Sequence, residues 1–190
     1  MPLYVQHKEG ELIWGIWRMD EWPDENKRVR EREAVRCLLA SLCGKQVEVG
    51  HESSGKPFLK NSKWHVSISH TKGYAAVALH PDKEVGIDIE CYTDRVCRVQ
   101  AKFLSVEELE EVSARDEKLL LVYWCAKETV YKALGLEGTE LRSHIRVLPF
   151  VLEGEEGSLN AVELKTGTHK EFPLHYWLAK DFVLTYTLIQ

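Results

Sequence analysis

Along the chain, apolar positions switch between a strand period and a helix period. Leu12-Ile13-Trp14-Gly15-Ile16-Trp17 is short and apolar on both faces, the pattern of a strand covered on both sides. Trp22-Pro23-Asp24 breaks that pattern. From Glu25 the chain is charged, and Val35, Leu38, Leu39 and Leu42 recur at helical spacing, predicting a helix that Gly44 ends. After the turn-forming run Ser53-Ser54-Gly55-Lys56-Pro57, the residues Trp64, Val66 and Ile68 alternate with His65, Ser67 and Ser69, which predicts a half-buried strand. His70 to Gly73 reads as a turn, Tyr74 to Leu79 as a buried strand, and His80 to Lys83 as a second turn leading into Val85-Gly86-Ile87-Asp88-Ile89-Glu90. Three strands joined by such short turns predict an antiparallel meander.

Ser105-Val106-Glu107-Glu108 has the S-x-x-E form of a capping box and predicts a short helix running to about Val112. A longer helix is predicted from about Asp116 to Leu134, with Leu119, Tyr123, Ala126, Val130 and Ala133 as its buried stripe and Gly135 as its cap. Strand patterns return at Ile145 to Leu152, Leu159 to Leu164, Leu174 to Ala179 and Phe182 to Ile189. The order is strand, helix, three strands, then helices and a second antiparallel set. This predicts an α+β fold of two similar lobes in a pseudo-twofold arrangement, each a helix packed on an antiparallel sheet. The expected division is 1–88 and 89–190, the two forming a single integrated unit. No internal repeat or low-complexity linker interrupts the chain.

Composition changes this picture little. With 190 residues, 44% hydrophobic and 29% charged, the chain is ordinary for a globular protein. No apolar run is long enough to span a bilayer, and Lys8, Glu9 and Glu11 come too early for a signal peptide, so the expected location is the cytosol, away from membranes. The five cysteines form no C-x-x-C pair, which suggests neither a disulfide framework nor a zinc site. A net charge of -5 argues against a general nucleic-acid binder. The excess acid lies in the second half, whereas the stretch between Glu52 and Asp82 contains no carboxylate but holds Lys56, Lys60, Lys63 and Lys72, a patch suited to an anionic ligand.

The candidate chemistry sits in Val85 to Glu90. In a strand Val85, Ile87 and Ile89 point one way, and Gly86, Asp88 and Glu90 the other. Two carboxylates on one strand face lie about 6.5 to 7 Å apart at the backbone. Their side chains can converge on one hard cation. On spacing alone, an edge strand with its acids in solvent fits equally well. On the long helix, Trp124, Glu128 and Lys132 follow one another at i, i+4 and i+8, a spacing that a plain surface ion pair would also produce.

Three ordered blocks resemble the 4′-phosphopantetheinyl transferases, specifically their two-lobed monomeric type. They are Ser67-Ile68-Ser69-His70, Val85-Gly86-Ile87-Asp88-Ile89-Glu90 and Trp124-Cys125-Ala126-Lys127-Glu128-Thr129-Val130-Tyr131-Lys132, with Gly55-Lys56-Pro57 upstream similar to a further family element. The resemblance implies transfer of 4′-phosphopantetheine from coenzyme A to a serine of an acyl or peptidyl carrier protein, with Mg²⁺ as cofactor. It implies Asp88, Glu90 and Glu128 as Mg²⁺ ligands, Glu128 also as the base for the serine hydroxyl, and Lys132 as the cation that neutralises departing 3′,5′-ADP. It also implies Ser69 and His70 at the 3′-phosphate of coenzyme A, with Lys56 and a basic residue of the first helix, Arg28 ahead of Arg30 and Arg32, as further contacts. Trp124 and Lys127 are expected to support helix packing. A non-catalytic coenzyme A or carrier-binding module and a nucleotide pyrophosphate hydrolase are the alternative functions. Because both halves lie in one chain, a monomer is expected.

Overall fold

Two antiparallel sheets, each carrying one long helix, share a common core in the computed structural model, which describes residues 3–19, 26–112 and 116–189. The first sheet has the order β1 (Leu3–Glu9), β2 (Leu12–Arg18), β6 (Tyr74–His80), β5 (His65–Thr71). The second has the order β7 (Val85–Cys91), β11 (Phe182–Leu188), β10 (Glu171–Leu178), β9 (Glu156–Glu163), β8 (Ile145–Val147). A two-stranded pair, β3 (Val49–His51) and β4 (Pro57–Leu59), stands apart. The helices are α1 (Lys27–Cys43), α2 (Arg95–Val99), α3 (Val106–Glu111), α4 (Glu117–Leu134) and α5 (Leu141–His144). Among the described residues, no helix is long and apolar enough to cross a membrane.

Strand alternation builds the layers. On β6, Ala75, Val77 and Leu79 pack against Leu38, Leu39 and Leu42 of α1. Tyr74, Ala76 and Ala78 face the other way, joining Trp14 and Ile16 of β2 against Val85, Ile87 and Ile89 of β7 and Phe182, Leu184 and Tyr186 of β11. On the far side of the second sheet, α4 packs over Ile145, Leu159, Phe172, Leu174 and Val183. The layers therefore run α1, first sheet, second sheet, α4.

Both long helices begin and end where side-chain chemistry expects. The Asn26 side chain caps α1 by accepting from Val29 N, and Gly44 takes the left-handed conformation that ends it. Asp116 and Gly135 do the same for α4. The capping box at Ser105 forms, and its glutamate has a second task. Glu108 accepts from Ser105 N at 2.7 Å and from Val147 N at 2.8 Å, and pairs with Lys127 of α4 at 2.6 Å, both side chains being 0% exposed. Lys127 also donates to the carbonyls of Leu141 and Ile145. A buried ion pair survives only when its remaining donors and acceptors are satisfied, and this one ties α3, α4 and β8 together.

The structure departs from the sequence pattern at several places. The three-strand meander does not form: β5 and β6 make a hairpin, but β7 pairs along its whole length with β11 in the second sheet. The expected boundary at residue 88 falls inside β7, and by pairing all of Val85–Cys91 belongs with the second sheet. The polar face of β5 is not solvated either, since Ser67 and Ser69 are buried against β7. The strand expected to run from Ile145 to Leu152 stops at Val147, two residues before Pro149, which has no N–H to give a ladder. The buried surface of α4 is wider than the expected stripe, including Leu120, Leu121, Val122 and Cys125, because helices, strands and loops cover it on several sides. Edge strand β1, short strands β3 and β4 and helices α2 and α5 carry too little apolar periodicity to be read in advance. The expected break at Trp22 to Asp24 lies outside the described residues.

One glycine sets the distance between α4 and the second sheet. A Cβ on Gly86 would lie 2.2 Å from the backbone oxygen of Thr129 and 3.0 Å from the Ala133 Cβ. The helix can therefore lie directly on β7 only because position 86 has no side chain. Gly86→Ala is expected to lower the denaturant midpoint with an unchanged slope, by an overpacking cost of about 1–3 kcal/mol. An unchanged midpoint would show that α4 does not press on this residue.

Candidate active site

The face of β7 that carries Gly86, Asp88 and Glu90 lies under α4, so the acids are not on an exposed edge. Asp88 is 3% exposed and sits opposite Thr185 of β11, whose hydroxyl is bonded to that of Thr129 on α4 at 2.6 Å. Glu128 and Lys132, one turn apart on α4, come down on the same place. Lys132 Nζ stands 2.7 Å from Asp88 Oδ1, and Ser69 Oγ donates to that same oxygen at 2.7 Å. Asp88 Oδ2 is buried and, among the described residues, has no hydrogen-bond partner. The Cys125 thiol lies nearby, 3.9 Å from the Val183 carbonyl and beside the Asp88 carboxyl.

The electrostatics follow from burial and crowding. Burial pushes the Glu90 carboxyl up and the Asp88 charge adds to the shift, while the Thr71 hydroxyl, the Trp124 indole and Lys132 hold it down. Glu128 is raised further, to about 7, first by burial and then by Asp88, with Lys132 opposing and Glu90 reinforcing. Burial, followed by the charges of Asp88 and Glu90, lifts the Cys125 thiol well above its usual range, which keeps it protonated and out of the ligand set. Three carboxylates thus share one ammonium in a poorly solvated place.

That arrangement fits a hard divalent cation. Its donors are carboxylate oxygens, and the unpartnered Oδ2 of Asp88 is the kind of buried acceptor that such an ion satisfies. Among the described residues, no three metal-ligating side chains already form a cage. The Lys132 ammonium is paired with Asp88 there. Asp88, Glu90 and Glu128 are the residues that could hold such an ion.

The other expected site residues divide into two groups. His70, 47% exposed at its side chain, points from β5 toward α1 and lies 3.3 Å from Glu31. It lines a cleft of about 640 Å³ together with Arg28 and Arg32, while Arg30 is not among the lining residues. Lys56 and Lys132 line a smaller cleft of about 260 Å³ with Ser67 and Tyr131. There Lys56 is tied to Glu84 at 2.7 Å and to the Ala133 carbonyl at the end of α4. Ser69, expected beside His70 at a phosphate, instead faces the acids, because neighbours on a strand point to opposite sides.

Two residues at the acids were not singled out for this contact. Thr71 Oγ1 donates to Glu90 Oε2 at 3.1 Å, and Trp124, stacked edge-on against Phe103, faces the same carboxylate. The signal for Thr71 was present in the sequence: Ser67, Ser69 and Thr71 put hydroxyls at every second position of one strand. Trp124 and Glu90 also border a cleft of about 750 Å³ lined by Val96, Phe103, Leu121 and Arg95.

Residues 84–187 match the family model described as the 4′-phosphopantetheinyl transferase superfamily, and the chain belongs to that superfamily. It is also similar to the 4′-phosphopantetheinyl transferase HetI of Nostoc sp., with 27% identity over 128 residues, 60% of this chain and 54% of that protein. The match thus spans about half the length of this relative. The matched family segment includes β7 and α4, and hence all three acids and Lys132.

The raised value of Glu128 gives a stability test in the metal-free protein. A folded-state value near 7 against an ordinary 4.5 means that the folded chain holds the proton more tightly. The associated stability is present below about 4.5 and is lost as pH rises through about 7. In the presence of a chelator, wild type is expected to lose melting temperature relative to Glu128→Gln across that window. Parallel pH profiles for the two proteins would mean that Glu128 is not desolvated.

Proposed function

We propose that this chain transfers 4′-phosphopantetheine from coenzyme A to a serine hydroxyl of an apo acyl or peptidyl carrier protein, releasing 3′,5′-ADP, with Mg²⁺ as its cofactor. In this reading it acts in the cytosol, and both sheets and both long helices in one chain favour a monomer of the two-lobed type. The observation that carries this reading is the Asp88 carboxylate, held at Oδ1 by Ser69 and Lys132 with Oδ2 buried and unpartnered, in the company of Glu90 and Glu128.

Asp88, Glu90 and Glu128 would hold the Mg²⁺, directly or through water. When bound, it neutralises charge on the coenzyme A pyrophosphate. Glu128 accepts the proton of the carrier serine, whose Oγ forms a bond to the β-phosphorus of coenzyme A. The phosphoanhydride bond breaks, and its electron pair leaves on the 5′-phosphate of 3′,5′-ADP. Lys132, freed from Asp88, neutralises that leaving group. The cleft containing Arg28 and His70 receives the 3′-phosphate, and Lys56 marks the nucleotide end of the smaller cleft. The apolar cleft beside Glu90 offers the carrier a route to the acids.

Incubation with coenzyme A, Mg²⁺ and a panel of apo carrier proteins, followed by intact mass measurement, tests the reading. Carriers are expected to gain one phosphopantetheine. A protein that binds coenzyme A or a carrier but transfers nothing would be a binding module, and release of nucleotide without carrier modification would indicate a hydrolase. Glu128→Ala is expected to slow transfer by about 10²–10⁴-fold. Lys132→Ala should slow it by about 10²–10³-fold. Asp88→Ala should abolish metal-dependent transfer, and full activity in that variant would place the metal elsewhere.

A further inference from the structure

Strand β7 is the edge of the second sheet, and β5 is the edge of the first, yet no backbone ladder joins them. What joins them is a row of hydroxyls. Ser67 Oγ accepts from Ile87 N at 3.1 Å, Ser69 Oγ from Ile89 N at 3.3 Å, and Thr71 Oγ1 from Cys91 N at 3.2 Å. Partner numbers rise together with a constant separation of 20, so the two strands run parallel in register. The N–H groups of Ile87, Ile89 and Cys91 thus meet side-chain oxygens where a sheet would offer carbonyls.

A hydroxyl can accept from an amide and still donate its own proton. Ser69 donates to Asp88 Oδ1 at 2.7 Å, and Thr71 donates to Glu90 Oε2 at 3.1 Å. Each of these two hydroxyls therefore grips the strand at one residue and the acid side chain at the residue before it. Ser69 and Lys132 together occupy Oδ1 of Asp88, which leaves Oδ2 as the oxygen free to take a ligand.

We propose that Ser69 and Thr71 are positioning residues for the cation site, fixing the carboxylates of Asp88 and Glu90 through a hydroxyl zipper between the two sheets. Ser67 completes the zipper on the amide side alone. Ser69 is thereby a support for Asp88, and not a contact to the coenzyme A phosphate. The inference depends on the cation reading of the acid cluster given above, and its test separates the two.

The test uses the full chain with Mn²⁺ as the probe, counting free ion by electron paramagnetic resonance, with 3′,5′-ADP binding measured separately by calorimetry in chelator. Wild type is expected to bind Mn²⁺. Ser69→Ala and Thr71→Val are expected to bind it about 10- to 100-fold more weakly, the usual effect of removing a hydrogen-bond support from a metal ligand. Thr71→Ser keeps the hydroxyl and is expected to retain wild-type affinity, while metal-free 3′,5′-ADP binding stays unchanged in all variants. Thr71→Val matches threonine in shape and keeps the test open if Ser69→Ala does not fold. Wild-type protein that binds no Mn²⁺ would overturn the cation reading itself. Undiminished Mn²⁺ affinity in both hydroxyl-lacking variants would overturn the zipper's role alone, and weakened nucleotide binding in Ser69→Ala with normal Mn²⁺ affinity would return Ser69 to the phosphate.

Discussion

Burying carboxylates on the inner edge of a sheet, beneath a helix that contributes a third, is the constraint that the surrounding structure answers. Ionised acids in a poorly solvated place repel one another and cost free energy unless cations or donors meet them. The chain supplies one ammonium, two hydroxyls and an indole, and leaves one oxygen of Asp88 unmet. Gly86 lets α4 come close enough for Glu128 and Lys132 to reach the site, and the Lys127–Glu108 pair fixes the rest of that helix on the other side.

The same constraint explains how the two halves join. An edge strand buried on both faces would leave a row of amides without partners, each costing about 1–3 kcal/mol. The hydroxyls of β5 remove that cost while remaining short enough to bring β5 against β7. The seam is therefore both the joint between the sheets and one wall of the site. Packing, register and candidate chemistry depend on the same few atoms.

Much of this was readable in the sequence where the signal was local. The capping box at Ser105, the glycines that end α1 and α4, the alternation that puts Asp88 and Glu90 on one face, and the i, i+4 spacing of Glu128 and Lys132 follow from backbone geometry and appear in the structure. What was not readable depends on long-range pairing. Short turns between β5, β6 and β7 suggested a meander, but nothing local says that β7 leaves the hairpin to pair with β11 almost a hundred positions later. For the same reason the surroundings of Ser69 could not be read from its neighbour His70: the pleat sends one to the acids and the other to α1. Polar alternation on β5 looked like a solvated face because hydroxyls facing water and hydroxyls facing a strand edge have the same sequence.

We propose that the acids of β7 and α4 form a divalent cation site and that Lys132 leaves Asp88 when the ion binds. A crystal structure of the protein with Mn²⁺ and 3′,5′-ADP, with the ion located by anomalous scattering, tests it most directly. The expected result is an ion about 2.1 Å from Asp88 Oδ2, with Glu90 and Glu128 bound directly or through water and the Lys132 ammonium no longer on Asp88. An ion held elsewhere, with Lys132 still paired to Asp88, would contradict the account.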